Sequence, residues 1–263
     1  MNLKDVNPGE ELLRLENVKK YFPANKALLA RDRKYVKAVD GVSFSLKSGE
    51  TLGLVGESGC GKSTLGQTIL RLEEATSGSV IYRGVDVGTL NGKQMRALRR
   101  EMQIIFQDPY SSLNPKLIIC DEAVSALDVS IQAQVLNLLS HLQRDLGLTY
   151  IFIAHGLATV KHVSDRVGVM YLGKLVELAD SNAIYRHAKH PYTQALIAAI
   201  PEPDPEIKKD QGLLGGDVPS PVDPPSGCRF CGRCPYAMEC CKTQEPEFRE
   251  VEPGHFVACH LVK

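Results

Sequence analysis

The sequence predicts a mixed α/β domain with a parallel sheet, and three observations predict it. Short β-like runs alternate with helical ones from Leu12 to about Tyr192. One of those runs feeds a glycine-rich turn that opens into a helix. The 263 residues, 43% of them hydrophobic, are enough to bury a full core in one or two domains.

The elements follow in chain order. Val42–Leu46 alternates in hydropathy and ends at the turn Lys47-Ser48-Gly49. Thr51–Val55 is a short apolar run, and Lys62–Arg71 continues beyond the glycine turn as a helix. Gln103–Phe106, Leu117–Cys120 and Thr149–Ala154 are three further buried strands. Between the last two, Val135, Leu138, Leu139, Leu142 and Leu146 recur at helical spacing, and Gly147 supplies the stop. Arg166–Tyr171 and Lys174–Leu178 flank Leu172-Gly173 as a hairpin. After Ile200 the composition shifts: Pro201, Pro203, Pro205, Pro219, Pro221, Pro224 and Pro225 mark a linker or extended arm. There is no internal repeat.

Composition narrows the setting. The formal net charge is zero, which gives no long-range hold on nucleic acid or anionic lipid. No stretch approaches the roughly 18 apolar residues of a membrane span, and Met1–Lys20 lacks the apolar run of a signal peptide, so a cytosolic setting is expected. Cys60 and Cys120 stand alone. Cys228, Cys231, Cys234, Cys240, Cys241 and Cys259 crowd the tail, and in a reducing compartment such a group points to a metal more than to disulfides.

The turn Gly56-Glu57-Ser58-Gly59-Cys60-Gly61-Lys62-Ser63-Thr64 matches G-x-x-x-x-G-K-[ST], the phosphate-binding loop of ATP-using proteins. Its glycines let consecutive backbone N–H groups converge on phosphate oxygens, and the positive end of the helix adds to them. Lys62 places a point charge on the β- and γ-phosphates, and the Ser63 hydroxyl ligates Mg²⁺. Leu117–Cys120 then ends in two acids: Asp121 to hold the Mg²⁺ shell and Glu122 to polarise an attacking water. Two acids at a strand end are common alone; beside the phosphate loop they gain this meaning.

These residues together resemble the ATP-binding subunits of ABC transporters, specifically the oligopeptide/dipeptide importer branch. The resemblance covers nearly the whole chain and implies an ABC-type P-loop NTPase core, a parallel sheet with an antiparallel β subdomain. It makes Phe22, or neighbouring Tyr21, the aromatic that stacks on adenine. It makes Gln107 the glutamine that senses Mg²⁺ and the membrane partner, Ser125-Ala126-Leu127-Asp128 the D-loop, and His155 the residue contacting the γ-phosphate. His190–Leu196 and the Pro-rich tail resemble the C-terminal extension of peptide importers. The implied division is a nucleotide-binding domain at 1–190 and the extension at 191–263. Implied partners are a second ABC ATPase, membrane-spanning permease subunits and, indirectly, an extracytoplasmic peptide-binding protein, with no nucleic acid. The implied place is the cytoplasmic face of the membrane.

The chain also departs from the family. Gln107 and Asp121 lie 14 positions apart, where the family has several dozen residues forming a helical subdomain, and no signature sequence of the L-S-G-G-Q type occurs. The shortening falls near 108–116. Ala123 stands where proline is usual, and Gly156 where aspartate is. A parallel return between adjacent strands usually takes a dozen or more residues with a helix, so the short connection predicts uncovered apolar surface.

In the tail, Cys228, Cys234, Cys241 and Cys259 resemble a cysteine pattern that in some members of the branch holds an iron–sulfur cluster, and four thiolates suit [4Fe–4S] or Zn²⁺. Cys231 and Cys240 are extra, His255 and His260 are substitutes, and free thiols are the plain alternative. Three functional readings result: the MgATP-binding subunit of a peptide importer, a nucleotide-binding remnant or regulator without turnover, and a metal or redox module with a vestigial ATPase core.

Overall fold

The computed structural model describes residues 3–25, 33–105, 115–124, 127–200, 218–222 and 224–262. The expected α/β architecture is found, organised as two sheets. The smaller one contains β1 (Glu11–Pro23), β2 (Tyr35–Lys47), β4 (Ser77–Tyr82) and β5 (Val85–Asp86), all antiparallel, in the order β2-β1-β4-β5. Leu12, Leu13, Leu15 and Val18 of β1 are buried, and bulges break its register with β2 so that the long ribbon can curl over the core.

The larger sheet contains β3 (Thr51–Val55), β6 (Met102–Ile105), β7 (Leu117–Asp121), β8 (Thr149–Ala154), β9 (Arg166–Tyr171), β10 (Lys174–Asp180), β11 (Arg249–Glu252) and β12 (His255–Val257). Its order is β11-β12-β10-β9-β3-β8-β7-β6. The run from β9 to β6 is parallel, and β10, β12 and β11 extend it antiparallel. Every residue of β3, β7 and β8 is buried, as covered parallel strands require. The pleat divides them between two cores. Leu52, Leu54, Ile119, Ile151 and Ile153 pack with Leu65 and Ile69 of α1 (Lys62–Ile69) and with β1 and β2. Val55, Ile118, Cys120 and Phe152 face Leu157 and Val160 of α4 (Leu157–Val160), with the C-terminal residues beyond.

The strands at 102–105 and 117–121 do run parallel and adjacent, with Met102 opposite Leu117 and Ile105 opposite Cys120. Their connection lies outside the described residues. Helix α2 (Gly92–Leu98) carries a capping box from Asn91 and Gln94. Helix α3 (Val129–Leu146) is capped by Asp128 and stopped by Gly147 at φ 63°. Ile131, Leu138 and Leu146 on α3 are exposed, Leu138 by 55%, while Val135, Leu139 and Leu142 are half-buried. The predicted hairpin forms at Leu172 (φ 44°) and Gly173 (φ 79°), the positive-φ pair that a two-residue turn between twisted strands demands.

Of the predicted Pro-rich arm, 201–217 and 223 lie outside the described residues. Residues 218–222 lie along β2, where Lys37 N–H donates to the Pro221 carbonyl at 3.2 Å. Residues 224–262 pack closely. Helices α5 (Ser181–His187), α6 (Pro191–Ala198) and α7 (Glu239–Thr243) precede the β11–β12 hairpin that joins β10. Glu177 of β10, fully buried, accepts from His255 Nε2 at 2.7 Å and from the backbone N–H groups of Lys189 and His190. Among the described residues no helix is long and apolar enough to cross a membrane.

Candidate functional site

The glycine turn sits where β3 delivers it, between the hairpin of β9 and β10 on one side and β2 on the other. Gly56 has φ 152° and Gly61 φ 104°. A Cβ at Gly61 would run into the Ala38 carbonyl, and one at Gly56 into the Met170 carbonyl. Close backbone approach on both flanks therefore dictates these two glycines. Cys60 O accepts from Gly173 N–H at 2.8 Å, which ties the turn to the hairpin. Ser58 and Gly59 are exposed and leave the mouth of the turn open, while Thr64 lies in the first turn of α1.

Lys62 is buried, and its ammonium donates to the carbonyls of Gly56 at 2.7 Å and Glu57 at 3.1 Å, with Cys60 Sγ at 3.6 Å. The charge is thus held inside the turn. Burial pushes the Cys60 thiol up, so it remains a neutral packing residue there. Ser63 Oγ donates to Asp121 Oδ1 at 2.9 Å, bringing together two of the residues expected to share Mg²⁺. Burial is the largest influence on Asp121 and raises its carboxyl above the ordinary value, against the hydrogen bond from Ser63. Hydroxyl and carboxylate are hard oxygen donors, and Mg²⁺ completes such a pair with phosphate oxygens and water, so the residues present fit the ion.

Glu122 adopts φ 53°, an uncommon conformation for a residue with a side chain. It follows β7 directly, and its Oε1 lies 2.7 Å from His155 Nε2 at the end of β8. The two expected catalytic side chains meet at the carboxyl edge of the parallel sheet, where open α/β sheets place their ligands. Gly156 caps α4 without a side-chain hydrogen bond, the local consequence of lacking an aspartate there.

Of the two aromatics, Tyr21 is committed elsewhere: its hydroxyl donates to Asp40 at 2.5 Å. Phe22 pairs with Val36 across the ribbon, and Ala38, two residues further along β2, touches the glycine turn. That register places Phe22 on the same ribbon that flanks the glycine turn. Its ring already carries the Lys20 ammonium 4.7 Å from its centroid. Gln107, Ser125 and Ala126 lie outside the described residues.

The cysteine expectation gains no support as a metal site. Cys228, Cys234, Cys241 and Cys259 do gather: Cys228 N–H donates to the Cys241 carbonyl at 2.8 Å. The Cys228 thiol is pushed up to about 11, mainly by burial and further by Cys241, Cys259 and Cys234. Yet among the described residues no three Cys, His, Asp or Glu side chains are disposed to hold a metal ion, so the iron–sulfur and Zn²⁺ readings are unsupported. The expected substitutes make other contacts: His255 Nε2 lies 2.7 Å from Glu177 Oε1, and His260 Nε2 3.0 Å from the Gln244 carbonyl.

Residues from the tail reach the glycine turn without any signal in the sequence. Arg233 Nη1 and Nη2 donate to the Glu57 carboxylate at 2.7 and 3.0 Å, and Glu57 N–H donates to the Tyr192 hydroxyl at 3.0 Å. Tyr192 is placed by α6, which starts with Pro191 after the His190 cap; that His-Pro pair is a readable helix start. Arg229, also buried, bonds Asp40 and the Leu172 carbonyl beneath the hairpin.

Comparison with known proteins agrees with this geometry. The ABC transporter family model matches residues 39–165, and the model for the C-terminal region of oligopeptide/dipeptide transporters matches 176–241. The oligopeptide transport ATP-binding protein AppF of Bacillus subtilis is 44% identical, over 96% of this chain and 98% of AppF. That alignment runs over 321 positions, well beyond the 263 residues of this chain, so a sizeable stretch of AppF has no counterpart here. CbiO1 of Clostridium perfringens, part of the ABC transporter complex CbiONQ, superposes with a TM-score of 0.58 at 20% identity, over 68% of this chain and 92% of CbiO1. The ADP conformation of the ATP-binding cassette MJ1267 also gives 0.58, at 19% identity, over 72% and 99% of the two chains.

Proposed function

This chain belongs to the ATP-binding proteins of the ABC transporter family, and from that premise we propose that it is the nucleotide-binding subunit of an oligopeptide or dipeptide importer. The carrying observation is the 2.9 Å contact between Ser63 and Asp121, with Lys62 beside one and Glu122 beside the other. Phosphates enter at the open mouth of the turn. Gly56, Ser58, Gly59, Cys60, Gly61 and Thr64 offer backbone N–H groups, and Lys62 leaves the Gly56 and Glu57 carbonyls for the β- and γ-phosphates. Ser63 and Asp121 would hold Mg²⁺, with Gln107 as a third contact; the bound ion offsets phosphate charge. Glu122 orients the water, His155 faces the γ-phosphate, and Phe22 covers the base.

The chain acts, on this reading, with a second ATPase and with permease subunits at the cytoplasmic face of the membrane, and an extracytoplasmic binding protein supplies the peptide. The division at 190 and the shortening near 108–116 belong to the same proposal. The surplus of aligned positions and the 14-position gap between Gln107 and Asp121 support the shortening. A chain without an L-S-G-G-Q sequence cannot cap its partner's ATP, so the isolated protein binds MgATP and turns it over slowly. The same absence favours the second reading, a nucleotide-binding regulator that does not power transport. MgATP titration of wild-type and Lys62→Ala protein tests the binding, and unchanged affinity in the variant overturns it. Rescue of a peptide-uptake defect supports the importer; failure to rescue with intact binding supports the regulator.

A further inference from the structure

Glu57 is the only acid within the glycine turn. A carboxylate there shares its surroundings with a polyphosphate, and like charges at close range oppose binding unless one of them is matched. The match comes from 176 residues away, in the bidentate pair with Arg233. The Arg233 side chain is only 6% exposed. Its guanidinium lies 5.8 Å from the Tyr171 ring centroid, and Tyr171 packs on Tyr192 and Phe230 with centroids 4.7 and 5.3 Å away. Tyr192 in turn holds the Glu57 N–H. The acid of the turn is thus held at its backbone by Tyr192 and at its side chain by Arg233, beside an aromatic block of which the C-terminal extension supplies two of the three rings.

We propose that Arg233, with Tyr192, is a positioning residue for nucleotide binding: it neutralises Glu57 and fixes the turn's backbone, so the C-terminal extension sets the affinity for MgATP. This rests on the ATP-binding reading above. The test titrates MgATP into the full-length chain and its variants, with a melting temperature for each. Arg233→Gln weakens binding about tenfold by freeing the Glu57 charge. Arg233→Lys, which keeps the charge but not the fork, falls between the two. The double variant Glu57→Gln/Arg233→Gln returns to within about threefold of wild type, a recovery that a purely structural role for Arg233 does not give. A folded Arg233→Gln protein with wild-type affinity overturns the proposal, as does a double variant no tighter than the single one. Should Arg233→Gln not fold, the double variant decides, since it buries no unmatched charge: affinity near wild type supports the proposal and a tenfold loss overturns it. Wild-type protein that fails to bind MgATP overturns the ATP-binding reading as well, and so is told apart.

Discussion

Ser63 Oγ donates to Asp121 Oδ1 at 2.9 Å, joining the first turn of α1 to the end of β7 across 58 residues of sequence. Asp121→Asn keeps the shape of this junction and removes its charge. The expected result is a loss of at least about tenfold in Mg²⁺-dependent ATP affinity, with little change when Mg²⁺ is chelated. Burial holds the Asp121 carboxyl above its ordinary value, and on the proposed reading its ionised form would hold the metal. The Mg²⁺-dependent part of the affinity therefore falls on acidification sooner than a free aspartate would dictate. Titrations with and without chelator, at two pH values, check both statements.

On the proposed reading, the Glu122–His155 pair, in contact at 2.7 Å, separates binding from turnover. With a complete partner ATPase present, Glu122→Gln is expected to lower hydrolysis by about 10²–10⁴-fold while MgATP binding persists. Phosphate-release and binding assays on the same preparation measure the two effects. Equal loss of both would show that Glu122 shapes the turn instead.

His190 makes the extension sensitive to acid. Its Nδ1 accepts the Tyr192 N–H at 3.1 Å, which only an unprotonated nitrogen can do, and burial lowers its pKa to about 4. The folded value lies below the ordinary 6.5, so the stabilisation is complete above pH 6.5 and is lost as pH falls from there toward 4. The slope from one such proton is at most about 1.4 kcal/mol per pH unit. His190→Asn keeps a capping acceptor without the titration, so urea denaturation at pH 7 and pH 5 is expected to show a smaller pH effect in the variant.

Glu177 anchors the last hairpin to the sheet. Glu177→Ala leaves His255 and two backbone N–H groups buried without their acceptor, and a loss of about 3–5 kcal/mol is expected by chemical denaturation. On α3 the opposite kind of change is mild. Leu138 is exposed, so Leu138→Gln is expected to shift stability by no more than about 0.5 kcal/mol and to reduce light scattering on concentration.

The parts of this architecture written in contiguous residues were readable. Thr51–Val55 and Thr149–Ala154 are continuous apolar runs because both their faces are covered, and Leu172-Gly173 announces its own turn. Lys62, Ser63 and Asp121 carry motif chemistry, so their neighbourhood followed from type and order. β1 was harder, because charged residues interrupt it and bulges break its alternation. The four tail cysteines signalled a shared location but not a ligand geometry, which depends on angles that spacing does not encode. Arg233 was invisible for a different reason: a surface-type residue between two cysteines says nothing about an acid 176 positions earlier.

That contact has a consequence for how the protein comes into being. Synthesis delivers the glycine turn in the first quarter of the chain, yet the arginine that closes on it emerges only with the last thirty-odd residues. A truncated product or a nascent chain on the ribosome carries every residue of the nucleotide motif and lacks the clasp across it. On the proposal above, such a fragment holds the nucleotide more weakly than a chain that includes Arg233.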